Sequence, residues 1–283
     1  MIHSSLDTIR ALLVGEPVEP SEEWLQILHQ LKWSAVGIVA VFETKDGQQV
    51  EQAGSGTLVA IDDARYVLTA AHVWDGVLKD ASAMGFTMRL GRDLPSKFLI
   101  DIKAISRFAL RRKRPWDQWG PDMILLRIPP QLCGTVEAFK VFYNLSAPKP
   151  TIETPDFIET WALLGAPQIL GDFAQAHAHL HGRAFQVSLA QSHHHDGFDY
   201  VDVVAHWPSK ETPPNFGGVS GGGLWRVRIF ATPTTGTIDC TITLEGMAFY
   251  HLGNEGEQDT IRCHGPASLQ YLVSERLRKK DRD

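Results

Sequence analysis

Short β-branched apolar runs that alternate with turn signals constrain the fold of this chain more than any other feature. The run Ala35–Phe42 is followed by the turn dipeptide Asp46-Gly47, and the chain then returns through residues 49–60. A second turn at residues 62–65 precedes the apolar run Tyr66–Thr69. Strands of this length and spacing predict an antiparallel barrel or sandwich.

The β pattern continues through both halves of the chain. Pro129-Pro130 and the Pro- and Thr-rich segment Ser146–Pro155 lie between the halves, and such composition is typical of a crossing between domains. The other predicted strands are Thr87–Leu90, Phe98–Ile105, Met123–Ile128, Phe157–Gly165, Leu180–Leu189, Tyr200–Trp207, Gly223–Phe230, Cys240–Leu244 and Gly246–Tyr250.

Both ends of the chain have helical patterns. Residues 1–33 predict two helices, the second capped by Ser21. We expect these helices to pack on the β domains, and docking of a regulatory protein partner is the alternative. A third helix is predicted from Pro266, with apolar residues on one side and basic residues at its end.

A glycine-rich loop carries the clearest chemical signal. The stretch Asn215–Trp225 places Ser220 among five glycines. Glycine allows positive φ and close approach to a ligand, and consecutive N–H groups in such a loop can hold an anion. Acyl transfer needs a nucleophilic hydroxyl beside donors for a developing oxyanion. The alternative is a flexible polar loop.

Two upstream motifs supply a base and a group to orient it. The segment Thr69-Ala70-Ala71-His72 follows a strand, and Asp122 opens the apolar run that ends at Ile128; Gly54–Ala60 precedes both. These motifs, in the order His72, Asp122, Ser220, resemble the trypsin-like (chymotrypsin-fold) serine peptidases of the bacterial intracellular type. The order differs from that of subtilisins and α/β-hydrolases. The resemblance covers residues 34–275.

This resemblance implies an all-β fold made of two six-stranded antiparallel β-barrels. Residues 1–33 would form a helical N-terminal extension, and residues 34–145 the first barrel with His72 and Asp122. Residues 146–265 would form the second barrel with Ser220, and residues 266–283 a C-terminal helix packed on the barrels.

The resemblance also assigns roles to single residues in a serine endopeptidase that cleaves protein or peptide substrates. Ser220 would be the nucleophile, His72 the general base, and Asp122 the group that orients the histidine. The N–H groups of Gly218 and Ser220 would form the oxyanion hole. The residues implied in substrate binding are Pro214, Phe249, Tyr250, His251 and Gly265.

Two departures from the family pattern bear on regulation and specificity. Val219 stands where trypsins have an aspartate that pairs with a new N-terminus, and no activation site precedes the first strand. The enzyme is therefore either active as made or controlled by a partner. Pro214 stands at the base of the specificity pocket, so Lys/Arg preference is not implied unless Glu255, Glu257 or Asp259 enters it.

Composition excludes several classes of protein. The net charge of −6 argues against nucleic acid as a partner. The longest apolar run near the N-terminus has eight residues, too few to span a membrane, and no secretory signal is expected. Three cysteines without C-x-x-C spacing predict reduced thiols and a cytoplasmic location. Pairing of Cys240 with Cys263 is the alternative.

Histidine clusters raise the question of a metal. His177, His179 and His181 alternate, and His193–His195 precede Asp196. Imidazoles on one face of a strand can bind zinc. No cysteine or carboxylate has ligand spacing with them, so we predict no metal and no cofactor. His206 and His264 give no signal.

Two other functions remain open at this stage. Gly218–Gly222 also fits the G-x-S-x-G motif of an α/β-hydrolase esterase, although that fold needs repeated βα units. The chain could instead be a catalytically silent binding module with a protease fold.

The basic residues Arg107 and 111–114 are interpreted as a solvated loop.

Overall fold

Two β-sheets, one from each half of the chain, make up most of the molecule. The computed structural model describes residue 9 and residues 22–86, 98–111, 118–149, 157–168, 171–174, 177–180, 182–206, 216–232, 235, 237–255 and 258–280. The fold is mostly β, with one closed barrel and one curled half-barrel, and its architecture is loosely chymotrypsin-like.

The N-terminal sheet is the half-barrel. Its strands follow the order β5-β4-β1-β2-β3-β7-β6, and β8 pairs with β2 in parallel. The Asp46-Gly47 signal is a hairpin turn, as predicted, and Gly47 takes a φ of +114° there. The strands are β1 (Ala35–Thr44), β2 (Gly47–Ile61), β3 (Ala64–Thr69), β4 (Ala83–Phe86), β5 (Leu99–Asp101), β6 (Ser106–Arg111), β7 (Asp122–Arg127) and β8 (Tyr143–Asn144).

The prediction of a closed first barrel is wrong for the described residues. The edge strands β5 and β6 are neighbours in sequence but form no ladder with each other. A 3₁₀ turn, Ile102–Ala104, separates them, and the Asp101 carboxylate accepts a hydrogen bond from Lys103 N at 2.8 Å. The predicted strand Phe98–Ile105 therefore ends early, and the sheet stays open at this side.

The second half contains the closed six-stranded antiparallel barrel that the sequence predicts. Its strands follow the closed order β12-β13-β16-β15-β14-β9, and a separate hairpin joins β10 to β11. Sheets of this kind do not supply the repeated βα units that the α/β-hydrolase alternative requires. The strands are β9 (Ile158–Gly165), β10 (Asp172–Ala174), β11 (His177–His179), β12 (Arg183–His195), β13 (Phe198–His206), β14 (Gly223–Ala231), β15 (Ile238–Glu255) and β16 (Gln258–His264).

Four helices lie outside the sheets in the described part of the chain: α1 (Glu22–Trp33), α2 (Ala71–Gly76), α3 (Pro130–Glu137) and α4 (Pro266–Lys280). Helix α1 buries Ile27 and Leu31, one turn apart, and Lys140 Nζ donates to the carbonyls of Lys32 and Ala35 at 3.3 and 2.8 Å. Of the first predicted helix only Ile9, which is buried, lies within the described residues.

Apolar side chains fill both sheets. Leu163, Phe185, Val203 and Ile261 form part of the core of the closed barrel, and burying each such side chain is worth about 1.5–3 kcal/mol.

Arg107 is exposed, as the solvated-loop interpretation expects, but it belongs to a strand and not to a loop. It lies in β6, and its guanidinium lies 4.8 Å from the centroid of the Trp74 ring.

No helix among the described residues has the length and apolar character needed to cross a membrane.

Candidate active site

His72 and Asp122 are brought together by two neighbouring strands. Thr69, at the end of β3, pairs with Ile124 of β7. His72, in the first turn of α2, therefore lies beside Asp122, the first residue of β7. The Asp122 carboxylate lies 2.6 Å from His72 Nδ1 and accepts a hydrogen bond from the His72 backbone N–H at 2.9 Å.

This pair defines the orientation of the imidazole. The carboxylate of Asp122 is buried, whereas the side chain of His72 is 16% exposed. A buried carboxylate is costly unless hydrogen bonds compensate it, and His72 supplies two of them. Because Nδ1 faces the carboxylate, Nε2 is the ring nitrogen that can exchange a proton with a substrate or a nucleophile.

The loop that carries Ser220 is tied to the half-barrel. Ser55 N donates to the Ser220 carbonyl at 2.8 Å. A Cβ placed on the preceding residue, Gly54, would lie 3.1 Å from that carbonyl oxygen and 2.7 Å from Val73 Cγ2. The Ser220 backbone and the residue after His72 therefore pack against the same glycine. The structure thus brings all three residues of the predicted triad to one region.

Two glycines give the Ser220 loop its shape. Gly218 and Gly221 have φ values of +89° and +92°, which residues with a side chain rarely adopt. A Cβ at Gly221 would also collide with the Ser55 carbonyl and the Thr69 hydroxyl. The conformation of the loop therefore requires glycine at these two positions, and chain flexibility alone does not explain them.

The N–H groups of the loop divide into bonded and open ones. Those of Val219, Gly221 and Gly222 donate to backbone carbonyls at 2.7–3.1 Å. Those of Gly218 and Ser220 donate to nothing within the residues that the structure describes. The two open groups are the pair that the family resemblance implies for the oxyanion hole.

A contact on the neighbouring carbonyl fixes the direction of the open Gly218 N–H group. Gln168 N donates to the Gly217 carbonyl at 2.8 Å. In a trans peptide the carbonyl and the next N–H point in opposite directions, so this bond turns the Gly218 N–H away from Gln168. The Ser55 hydroxyl holds the next carbonyl, that of Gly218, at 2.6 Å.

Ser55 is a site residue that the sequence reasoning missed. It is fully buried, and its hydroxyl also accepts a hydrogen bond from Ala166 N at 2.8 Å. It therefore connects β2, the chain after β9 and the Ser220 loop. Its flanking glycines, Gly54 and Gly56, were visible in the sequence, but a serine between glycines does not reveal such a partner.

The structure places the residues implied in substrate binding in different surroundings. His251 lies beside the loop, with its ring 5.8 Å from that of Phe216 and its Nε2 3.0 Å from the buried carboxylate of Asp259. Phe249 is buried and turned into the protein, and Tyr250 is half-buried. Asp259, one of the three acids considered for the specificity pocket, therefore lies beside His251.

Gly265 lies away from His251 in the sequence of elements. Gly265 lies at the start of α4, where its N–H donates to the Asp199 carbonyl at 3.0 Å. The residue paired with His251 across the sheet is Ile261. Pro214 falls outside the described residues.

His193, in the second histidine cluster, has a carboxylate partner. His193 Nε2 lies 2.8 Å from Asp202 Oδ2, and the Arg262 guanidinium binds both oxygens of that carboxylate at 2.7 and 2.8 Å. His177 and His179 belong to β11, and His181 lies outside the described residues. Across the described residues, no three His, Cys, Asp or Glu side chains are arranged to hold a metal.

The cysteines are free thiols in the structure. Burial raises the pKa of Cys240 to about 11 and also raises the pKa of Cys263, which lies in the core of the closed barrel. Thiols held in this neutral form are poor nucleophiles.

Comparison with known proteins gives no family. Neither a protein-family model nor a curated protein matches the sequence. One solved structure, from work on the coupled folding and binding of the intrinsically disordered Sesbania mosaic virus VPg protein, aligns with 84% of this chain and 87% of its own. The identity is 12% and the TM-score is 0.42, a likeness too weak to identify a fold family.

Proposed function

We propose that this protein is a serine endopeptidase related to the trypsin-like peptidases. The observation that carries the proposal is the His72–Asp122 pair beside a serine loop whose open N–H groups are those of Gly218 and Ser220. A base with its orienting carboxylate and two free donors beside a serine are the parts that acyl transfer requires.

The first half of the reaction forms an acyl-enzyme. Ser220 Oγ attacks the carbonyl carbon of the scissile peptide while its proton passes to His72 Nε2. The Asp122 carboxylate stabilises the resulting imidazolium, and the N–H groups of Gly218 and Ser220 donate to the oxyanion. His72 then returns the proton to the leaving amine as the C–N bond breaks.

The second half regenerates the enzyme. A water molecule attacks the ester carbonyl while His72 accepts its proton. The bond to Ser220 Oγ breaks, the serine recovers its proton from His72, and the carboxylic acid product leaves.

Strand β15 offers a place for the substrate backbone. Within the described residues, β14 pairs with β15 only as far as Met247, and beyond Ala248 the only partner of β15 is β16. The other edge at Tyr250 and His251 is therefore available to an extended peptide, which can add as a further strand.

The loop needs no proteolytic activation under this proposal. Val219 is buried in the core of the closed barrel. Hydrogen bonds from Ser55 and Gln168 hold the carbonyls of Gly218 and Gly217. We propose that these contacts order the loop, as the aspartate and the new N-terminus do in trypsins, and that the enzyme is active as made.

Hydrolysis of a peptide library tests the function. We expect cleavage by the wild type and a loss of turnover on the order of 10⁶-fold in Ser220→Ala. Ser274→Ala, which changes an exposed serine of α4, is the matched control and should keep wild-type activity. Equal cleavage by wild type and Ser220→Ala would refute the proposal.

A further inference from the structure

His264 lies directly behind Asp122 and takes no part in the steps above. It is the last residue of β16 and is fully buried. The Asp122 backbone N–H donates to His264 Nε2 at 3.1 Å. The imidazole stacks on Phe249, with ring centroids 4.3 Å apart and planes at 24°.

The protonation state of the ring agrees with its role as an acceptor. Burial lowers the pKa of His264 to about 3, against the opposing charge of Asp199, so the ring is neutral. Since Nε2 accepts from Asp122, Nδ1 carries the proton, and it has no partner in the described part of the chain. A buried polar atom is costly, and the bond from Asp122 N is the one hydrogen bond that the described contacts of this ring show.

The bond joins the two sheets at the triad. Asp122 begins β7 of the half-barrel, whereas His264 ends β16 of the closed barrel. The ring also packs on the chain that leads to Asp122, because a Cβ at Gly120 would lie 2.7 Å from His264 Cε1. The Ser55–Ser220 bond makes the corresponding link at the other end of the triad.

We infer that His264 is a positioning residue that fixes the backbone of Asp122 and so aims its carboxylate at His72. The catalytic consequence rests on the proposed peptidase function, but the effect on the His72–Asp122 hydrogen bond does not. Errors in placement as small as 1 Å can cost about 100-fold in rate.

Two matched variants separate the acceptor from the shape of the ring. His264→Phe keeps a flat ring without an acceptor, and His264→Gln places an amide oxygen at a reach similar to that of Nε2. The main measurement is the downfield proton resonance of the His72–Asp122 hydrogen bond, assigned by its loss in Asp122→Asn. Turnover of a peptide substrate is the second readout.

We expect folded His264→Phe to lose or shift the resonance and to lower kcat by about 10- to 100-fold at unchanged KM, while His264→Gln retains both. If His264→Phe does not fold, His264→Asn, whose amide is too short to reach Asp122, is measured with the same expectation.

An unchanged resonance in the folded variant without an acceptor would overturn the inference. Loss of the resonance in both His264→Phe and His264→Gln would overturn it as well, because the acceptor would then not be the cause. A wild type that shows the resonance but cleaves no peptide would count against the proposed function alone.

Discussion

At the scale of single residues, the sequence indicates the three residues of the proposed triad but not the residues that hold them in place. His72, Asp122 and Ser220 stand in short motifs whose local pattern is visible without a structure. Ser55 and His264 act on partners 163 and 142 positions away, and nothing near them in sequence indicates those contacts.

The substitution Ser55→Ala tests how the oxyanion loop is held. It removes the hydroxyl that binds the Gly218 carbonyl and Ala166 N, so the loop between the two open N–H groups loses a fixed contact. We expect kcat for peptide hydrolysis to fall about tenfold, equivalent to about 1.4 kcal/mol of transition-state stabilisation, with little change in KM. Ser34→Ala removes another buried serine and is the control. Wild-type kcat in Ser55→Ala would show that the loop is ordered without this hydroxyl.

At the scale of elements, the sequence predicts strands where apolar side chains recur and fails where polar side chains form an edge. Strand β6 was interpreted as a basic loop because of its arginines, although Phe108 within it is buried. The strands predicted at 240–244 and 246–250 are one strand, β15, with a register shift in its pairing opposite Leu224 and Trp225. Gly246 lies within this strand where the His264 carbonyl approaches closely, so a side chain at this position would collide with that carbonyl.

Helix α4 depends on a cap that comes from the closed barrel. Its preceding residue, Gly265, has no side chain, and Asp199 of β13 accepts hydrogen bonds from the N–H groups of Ala267 and Ser268 at 3.0 and 2.6 Å. A carboxylate at a helix N-terminus satisfies open donors and complements the helix dipole.

We therefore expect Asp199→Ala to lower the free energy of unfolding by about 2 kcal/mol and to speed hydrogen exchange in the first turn of α4. Asp199→Asn keeps an acceptor and should lose less, and Asp80→Ala changes an exposed aspartate as a control. Denaturant unfolding gives the comparison. Equal stability of Asp199→Ala and Asp80→Ala would show that the cap contributes nothing.

At the scale of the whole molecule, the sequence predicts β structure in both halves of the chain, but not that one sheet remains open. Closure depends on pairing between the two edge strands, and the turn at Ile102–Ala104 replaces that pairing. The candidate site depends on both sheets, since His72 and Asp122 come from the half-barrel and Ser220 follows the closed barrel's β13. The hydrogen bonds of Ser55 and His264 join the sheets at this site.

Covalent labelling with a fluorophosphonate probe tests whether Ser220 is an activated nucleophile, because the reaction needs an activated serine but no knowledge of the natural substrate. The probe is applied to wild type, Ser220→Ala and His72→Ala, and the modified residue is located by mass spectrometry. We expect labelling of wild type at Ser220 and none in either variant. Folded wild-type protein that stays unlabelled, or that is labelled at another residue, would contradict the proposed peptidase function.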